Sequence, residues 1–339
     1  MKLSKSLSIA AALLAAIAAL AVLGVITGVS QISAAQAINI LLQGAGVEPL
    51  FDTAPWRKSQ AVIITELRAP RVVLALLAGA GLAVCGAALQ AATRNPLTDP
   101  FLLGVSSGAS LGAVLVITQL GAFLGTYTLP LFSFGGGLLS FALLLTLLRR
   151  PANQRPDRLI LAGVAISFLL MAATNGLIFF GDQRAAQSIV FWMLGGFGLA
   201  RWDLLALPAG LIVAGIVVLL WQARNLNALM MGQESAAALG LEVNRVRGMI
   251  LLVATLVTSL IVSLSGTIGF VGLVVPHIVR TFVGGDNRIL LPLCVLAGAA
   301  FMLAADIVSR QLIAPQELPI GIITGAIGGA YFCYLLLRR

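Results

Sequence analysis

Charge is what this sequence most lacks. Only 10% of its 339 residues are Asp, Glu, Lys or Arg, against about 25% in an ordinary soluble domain, so a water-facing surface of normal extent is excluded. Lysine is scarcer still, confined to Lys2, Lys5 and Lys58. None of them follows a glycine, and a Walker-type phosphate loop needs a lysine directly after its last glycine; the chain has no such ATP-hydrolysing loop. Cysteine is limited to Cys85, Cys294 and Cys333, each alone in an apolar run. Without a C-x-x-C spacing they offer neither a zinc site nor redox exchange. They read as small packing residues, and no metal site is expected.

What is present in excess is apolar length. Hydrophobic residues make up 60% of the chain, and runs of about 18 residues or more, each long enough to cross a hydrocarbon core of about 30 Å, recur from end to end. The expected fold is an all-α integral membrane protein, one transmembrane domain over residues 1–339. Spans begin near Leu7, Val72, Leu102, Leu129, Leu159, Leu204, Gly248, Ile289 and Ile320. A shorter segment from Ser265 to Arg280, broken by glycine and proline, counts as a tenth crossing by parity. Lys2 and Lys5 mark one terminus as an inner end, Arg338 and Arg339 mark the other, and both are inside only if the number is even.

Ten crossings place 14 of the 21 lysines and arginines inside, so the net charge of +9 reads as a topology signal and not as a nucleic-acid surface. The amino end imitates a secretory signal with a cleavage site at Ala35-Gln36-Ala37. Its apolar core, Leu7 to Ile26, exceeds the usual length of about 7 to 15 residues, and a retained first helix is expected. Trp56, Trp192, Trp202 and Trp221 fall near span ends, where an aromatic belt forms. Glycine, at 36 residues, suits tightly packed membrane helices.

Four function classes fit such a chain: an ion-coupled secondary transporter, an intramembrane enzyme, an ATP-driven permease and a structural component. Gradient-driven carriers keep ionisable groups inside their spans, and here the span interiors are almost free of them. Asp306, four residues before Arg310, has the spacing of a helical ion pair. Gly104-Val105-Ser106-Ser107-Gly108 matches the G-x-S-x-G elbow, and with His277, the single histidine, Ser106 would give the minimum of a serine protease. That elbow needs a strand entering a strained turn, whereas this match opens a membrane helix, where Ser and Gly serve as cap and packing residues; no catalytic site is expected. A structural role fits poorly with helices broken at membrane depth, whose backbone groups need a protein or aqueous lining.

ATP hydrolysed by a separate inner partner remains. Such a partner needs a docking element, and MGQESAAALGLEVNRVR, Met231 to Arg247, supplies a short helix-forming run closed by Gly240 between the sixth and seventh spans. Taken alone it reads equally as a solvated loop helix. The other unusual stretch is RNPLTDPFLLGVSSGA from Arg94. Pro96 and Pro100 end a helix there and leave carbonyls unpaired, and Asp99 is either the cap of the next helix or a partner of Arg94.

Four blocks, RNPLTDPFLLGVSSGASLGA from Arg94, FWMLGGFGLARWDLL from Phe191, GQESAAALGL from Gly232 and GTIGFVGLVVPHIVR from Gly266, resemble in order and spacing the FecCD-type permeases of ABC importers for iron-siderophores, haem and cobalamin. The likeness runs from about Leu67 to the end. It implies ten helices per subunit and a second permease subunit, the same chain or a related one, around a central pathway. It also implies two cytoplasmic ATPases carrying the ATP and magnesium, a periplasmic binding protein, and a bacterial inner membrane with both termini cytoplasmic. The permease itself is expected to hold no cofactor, to touch lipid and not nucleic acid, and to move a large chelate by alternating access, a ferric siderophore before haem and cobalamin.

By the same resemblance Asn95 and Leu97, with Pro96 and Asp99, form the cytoplasmic gate, and Gln233, Glu234, Ala237, Leu239 and Gly240, in a loop at about 223–247, dock the ATPase. Arg68 and Arg71, flanking Pro70 in a first helical turn, and Arg310 are expected to receive acidic residues of the binding protein; the alternative is snorkelling at an interface. Gln233 stands where an acidic residue is common in the family, Asn287 where histidine is, and GGAYF from Gly328 where proline often follows the glycines. These departures bear on the choice of ATPase or second subunit.

Overall fold

A computed structural model describes residues 2–28, 30, 32–44, 46–148 and 156–337; Arg149, Arg150, Arg155, Arg338 and Arg339, used in the topology argument, lie outside the described residues. Those residues form helices α1 Lys2–Ile26, α2 Ala34–Gly44, α3 Lys58–Thr93, α4 Val105–Leu120, α5 Thr128–Leu148, α6 Pro156–Phe180 and α7 Ala186–Leu194. They continue with α8 Trp202–Trp221, α9 Ala223–Met230, α10 Gln233–Ala238, α11 Val243–Ser265, α12 Val271–Val283, α13 Asn287–Gln311 and α14 Ile320–Leu337. Eight of these (α1, α3, α5, α6, α8, α11, α13, α14) have the length and apolarity to cross a bilayer, and the shorter apolar α4 and α12 complete the ten expected. No strand occurs among the described residues.

The interrupted tenth segment is α12 and the non-helical residues 266–270 before it. Its 13 residues reach only about 20 Å at about 1.5 Å per residue, and the irregular backbone beside it is satisfied inside the protein. Gly196 donates to the Ser265 carbonyl at 2.7 Å, Ile320 to that of Gly195 at 3.0 Å, and the Thr267 hydroxyl to that of Met193.

One boundary and the surroundings of one tryptophan differ from expectation. α3 begins at Lys58 and not near Val72; the polar run Thr65-Glu66-Leu67-Arg68 hides its first turns. Residues Ile63–Arg68 adopt π geometry, and Pro70 sits in the first turn of the α segment that follows, within an uninterrupted helix. The wider π turn admits a residue without an N–H. Ala35-Gln36-Ala37 lies inside α2, with Ala37 buried. Trp192 is buried in α7 and is not an interfacial residue, whereas Trp202 and Trp221 do bracket α8.

α3 is the centre of the bundle. Almost every residue from Pro70 to Thr93 is buried, against α13, α11, α12 and α8. The reason is its composition of alanine and glycine. A Cβ on Gly79 would collide with the carbonyl of Gly298 in α13, and the reverse also holds; one on Gly86 would collide with the carbonyl of Gly272 in α12. Backbones therefore touch directly, which is how membrane helices gain packing energy where lipid gives no hydrophobic drive between them. Gly79→Ala is expected to destabilise the fold by about 1–3 kcal/mol and to lower the thermal midpoint in detergent. Gly135→Ala in α5, with nothing within 4 Å of the added Cβ, is expected to leave that midpoint unchanged or slightly raised.

Candidate functional site

Hydrogen bonds define two opposite ends of the bundle. At the Leu97 end, the turn after α3, helices α9 and α10, the start of α11 and the α12–α13 junction meet. Arg247 Nε donates to the Ala92 carbonyl at 3.3 Å, and Asn227 Nδ2 to Asp286 Oδ1 at 2.7 Å. At the Asp306 end, the last turn of α1, the first part of α3 and the segment from Asp306 to Glu317 meet.

The turn expected to gate is built on a left-handed residue. Arg94, at φ 53°, ends α3, its N–H bonding the Ala91 carbonyl at 3.3 Å while that of Asn95 bonds Gln90 at 3.1 Å. Carbonyls expected to be unpaired after the proline break are thus capped by the turn's own amides. Asn95 Oδ1 accepts from Leu97 N at 2.9 Å, and the Thr93 and Thr98 hydroxyls meet at 2.8 Å. Pro96 and Leu97 are exposed at the tip; Thr98 and Asp99 are buried beneath it. Of the two roles considered for Asp99, the structure shows the cap. Its Oδ1 accepts from Phe101 N at 2.8 Å at the head of the 3-10 turn Pro100–Leu103 that leads into α4, and its Oδ2 is buried with no hydrogen-bond partner.

The docking loop is two helices and not one run. α10 covers only Gln233–Ala238, between Gly232 at φ 114° and Gly240 at φ 82°, and Arg247 belongs to α11. Gly240 N bonds the Ala237 carbonyl and Leu241 N that of Ala236, which closes the helix. Ala236 is buried, while Glu234, Ala237 and Leu239 point outward. α9 buries Ala223, Leu226 and Leu229 and is pinned by Asn227, whose Oδ1 accepts from Asn287 N at 2.9 Å and Nδ2 at 2.8 Å. The family departure at Asn287 is therefore an internal tie, fully buried. Arg288 and Asn227 together hold the Asp286 carboxyl well below the usual carboxylate range.

The three arginines at the other end, expected to receive a partner's acidic residues, are bonded within the chain. Arg68 donates to the carbonyls of Val25, Ile26 and Ser30 at 2.7 to 3.0 Å, and Arg310 to those of Gly24 and Thr27 at 2.8 and 3.0 Å, so both cap the end of α1. Asp306, fully buried, pairs with Arg71 and with Arg310, each at 2.8 Å; the second is the i,i+4 pair read from the sequence. Arg71 also binds Glu317 at 2.8 Å. Removing one partner of such a buried pair costs about 3–5 kcal/mol, which ties these charges to the chain's own packing. Beside them opens a cavity of about 680 Å3 lined by Arg71, Phe191, Trp192, Arg201, Ser265 and Glu317 among others.

The elbow match is a helix start. Gly104, at φ 80°, opens α4 after a 3-10 turn, and Ser106 Oγ is buried without a hydrogen-bond partner. His277 packs against Tyr331 and Phe332, ring centroids 5.8 and 6.3 Å away, and the unpartnered Ser106 Oγ makes no hydrogen bond to it.

Burial pushes the Asp99 carboxyl up to about 6, against the opposing bond from Phe101. A folded-state value above the unfolded one means that the native chain holds the extra proton, so stability falls as pH rises through about 4 to 6. Asp99→Asn keeps the cap and removes the charge. Its stability in detergent relative to the wild type should rise across that window and level off above it, with a total gain of up to about 3 kcal/mol; a pH-independent difference would show that the carboxylate is not desolvated.

The profile of the FecCD transport family matches residues 11–338. The hemin transport system permease protein HmuU of Yersinia pestis is 41% identical over 81% of this chain and 83% of its own length. The vitamin B12 import system permease protein BtuC of Escherichia coli is 37% identical over 91% and 94%. A solved transporter, described as metal-chelate type ABC and in an inward-facing conformation, superposes with a TM-score of 0.82 at 30% identity, covering 97% of this chain and 98% of that one. A match along nearly the whole chain, with the motifs in their expected places on the bundle, means that this protein belongs to the FecCD transport family of ABC importer permeases.

Proposed function

We propose that the chain, acting as one permease domain over 1–339, is the membrane subunit of an ATP-driven importer for a large metal chelate, a ferric siderophore or the haem and cobalamin named for its relatives. The observation that carries this reading is the likeness along nearly the whole chain to the FecCD family and to permeases named for hemin and vitamin B12. The Leu97 end is the cytoplasmic face of a bacterial inner membrane, with both termini on that side. Two ATPases dock there on α10, through Glu234, Ala237 and Leu239, with Gln233 and Gly240 setting the ends of the helix. They bring the ATP and magnesium; this chain contributes no cofactor and no catalytic group. Asn95, Pro96, Leu97 and Asp99 form the gate, paired with the same turn of a second permease subunit.

The cavity beside Arg71 faces the periplasm and the binding protein. That partner's acidic residues, first assigned to Arg68, Arg71 and Arg310, find those cations bonded internally. The exposed Arg57, Lys58, Arg184 and Arg201, the last of them lining the cavity, are the cations left for it.

The test is assembly and transport in proteoliposomes. The isolated chain should hydrolyse no ATP, and Ala237→Arg should reduce ATPase co-purification or uncouple hydrolysis from uptake of a ferric siderophore or hemin. Unchanged assembly and uptake in Ala237→Arg would refute the docking assignment. Uptake that collapses with an uncoupler while ATP is maintained would refute the ATP-driven reading.

A further inference from the structure

Arg247 stands where the docking helix, α11 and the end of α3 meet, and it is only 6% exposed. The last carbonyls of a helix have no partner within it. At the end of α3 the turn amides of Asn95 and Arg94 take Gln90 and Ala91, and the next carbonyl, Ala92, accepts from Arg247 Nε at 3.3 Å. The other edge of the same guanidinium faces α10. With its amide turned so that the oxygen meets the donors, Gln233 accepts from Arg247 Nη2 at 2.9 Å and Nη1 at 3.2 Å. Arg94, the left-handed residue that starts the gate turn, leans on the same place, its Nη1 3.7 Å from where a Cβ on Gly232 would stand.

One planar, rigid fork thus joins the first residue of α10 to the last turn of α3, two residues before the gate turn begins. A guanidinium suits this because its donors are fixed relative to one another, so displacement of one acceptor is passed to the other. We propose that Arg247 is the positioning residue that transmits movement of the ATPase-docked helix α10, through Gln233, to the gate turn at Asn95–Asp99. The proposal rests on the assignments of α10 as docking helix and of that turn as gate.

The test uses the complete complex with its cognate ATPase in nanodiscs. Cys333 is replaced by serine, since Cys85 and Cys294 are buried, and Leu97→Cys is labelled with an impermeant maleimide, with and without ATP, magnesium and vanadate. In this background nucleotide should change the labelling rate. Arg247→Ala should still assemble and hydrolyse ATP, but its nucleotide response should fall about tenfold, equivalent to about 1.4 kcal/mol. Compared in complexes that assemble, Gln233→Ala should lose the nucleotide response by a similar factor, and Gln233→Glu, which keeps an acceptor, should retain it.

A normal response in either alanine variant overturns the proposal. If Arg247→Ala fails to fold, Gln233→Ala, an exposed position, decides alone. A background that ignores nucleotide at Leu97→Cys overturns the gate assignment itself, a different result from a responsive background with unresponsive or unaffected variants.

Discussion

Direct backbone contact between α3 and its neighbours is the constraint from which the rest of the architecture follows. In a bilayer, two apolar helices gain nothing by leaving lipid for each other unless they pack more closely than lipid packs. Glycine at 79, 86, 272 and 298 removes the side chains that would keep α3 from α12 and α13. With α3 seated in this way, its two ends have fixed surroundings: α9 to α11 around Ala92, and the end of α1 with the Asp306 region around Arg71.

Those surroundings explain how so few charges are used. Helix ends in a membrane protein leave carbonyls that water does not reach, and arginine offers several donors at once. Arg68 and Arg310 serve the end of α1, and Arg247 the end of α3. Asp306 lies between Arg71 and Arg310 and offsets two buried cations that would otherwise repel each other. Arg68, Arg71 and Arg310 are thus bonded within the fold.

The two ends differ in kind. The Asp306 end is cross-linked by two buried ion pairs and a half-exposed one, beside an open cavity of about 680 Å3. The Leu97 end is a set of short helices and turns tied by hydrogen bonds of Arg247, Asn227 and Asp286, with apolar tips exposed at Leu97 and Leu239. Local opening costs least where few buried contacts hold a segment, which is the physical ground for seeking a gate at the exposed tip around Leu97.

Much is legible in the sequence alone. Apolar length is a one-dimensional property, and it located ten helices, including the broken segment from Ser265 that parity required. Local turn chemistry is likewise encoded within a few residues, so the proline-bounded turn at Arg94, the Asp99 cap and the glycine closing α10 were readable in the sequence. The start of α3 was not, because Glu66 and Arg68 look like a loop until Arg68 is seen to be buried against the end of α1. Nor were the partners of Arg68, Arg71, Arg247 and Arg310. Arg71 and Asp306 are 235 residues apart, Arg247 and Ala92 155, and whether an arginine meets solvent, a binding protein or the chain's own carbonyl depends on which helix packing brings alongside it. The sequence by itself determined the ten long apolar helices, their order and the turns marked by proline and glycine; the tertiary structure alone decided what each buried charge touches, because that is set by the close approach of helices far apart in the chain.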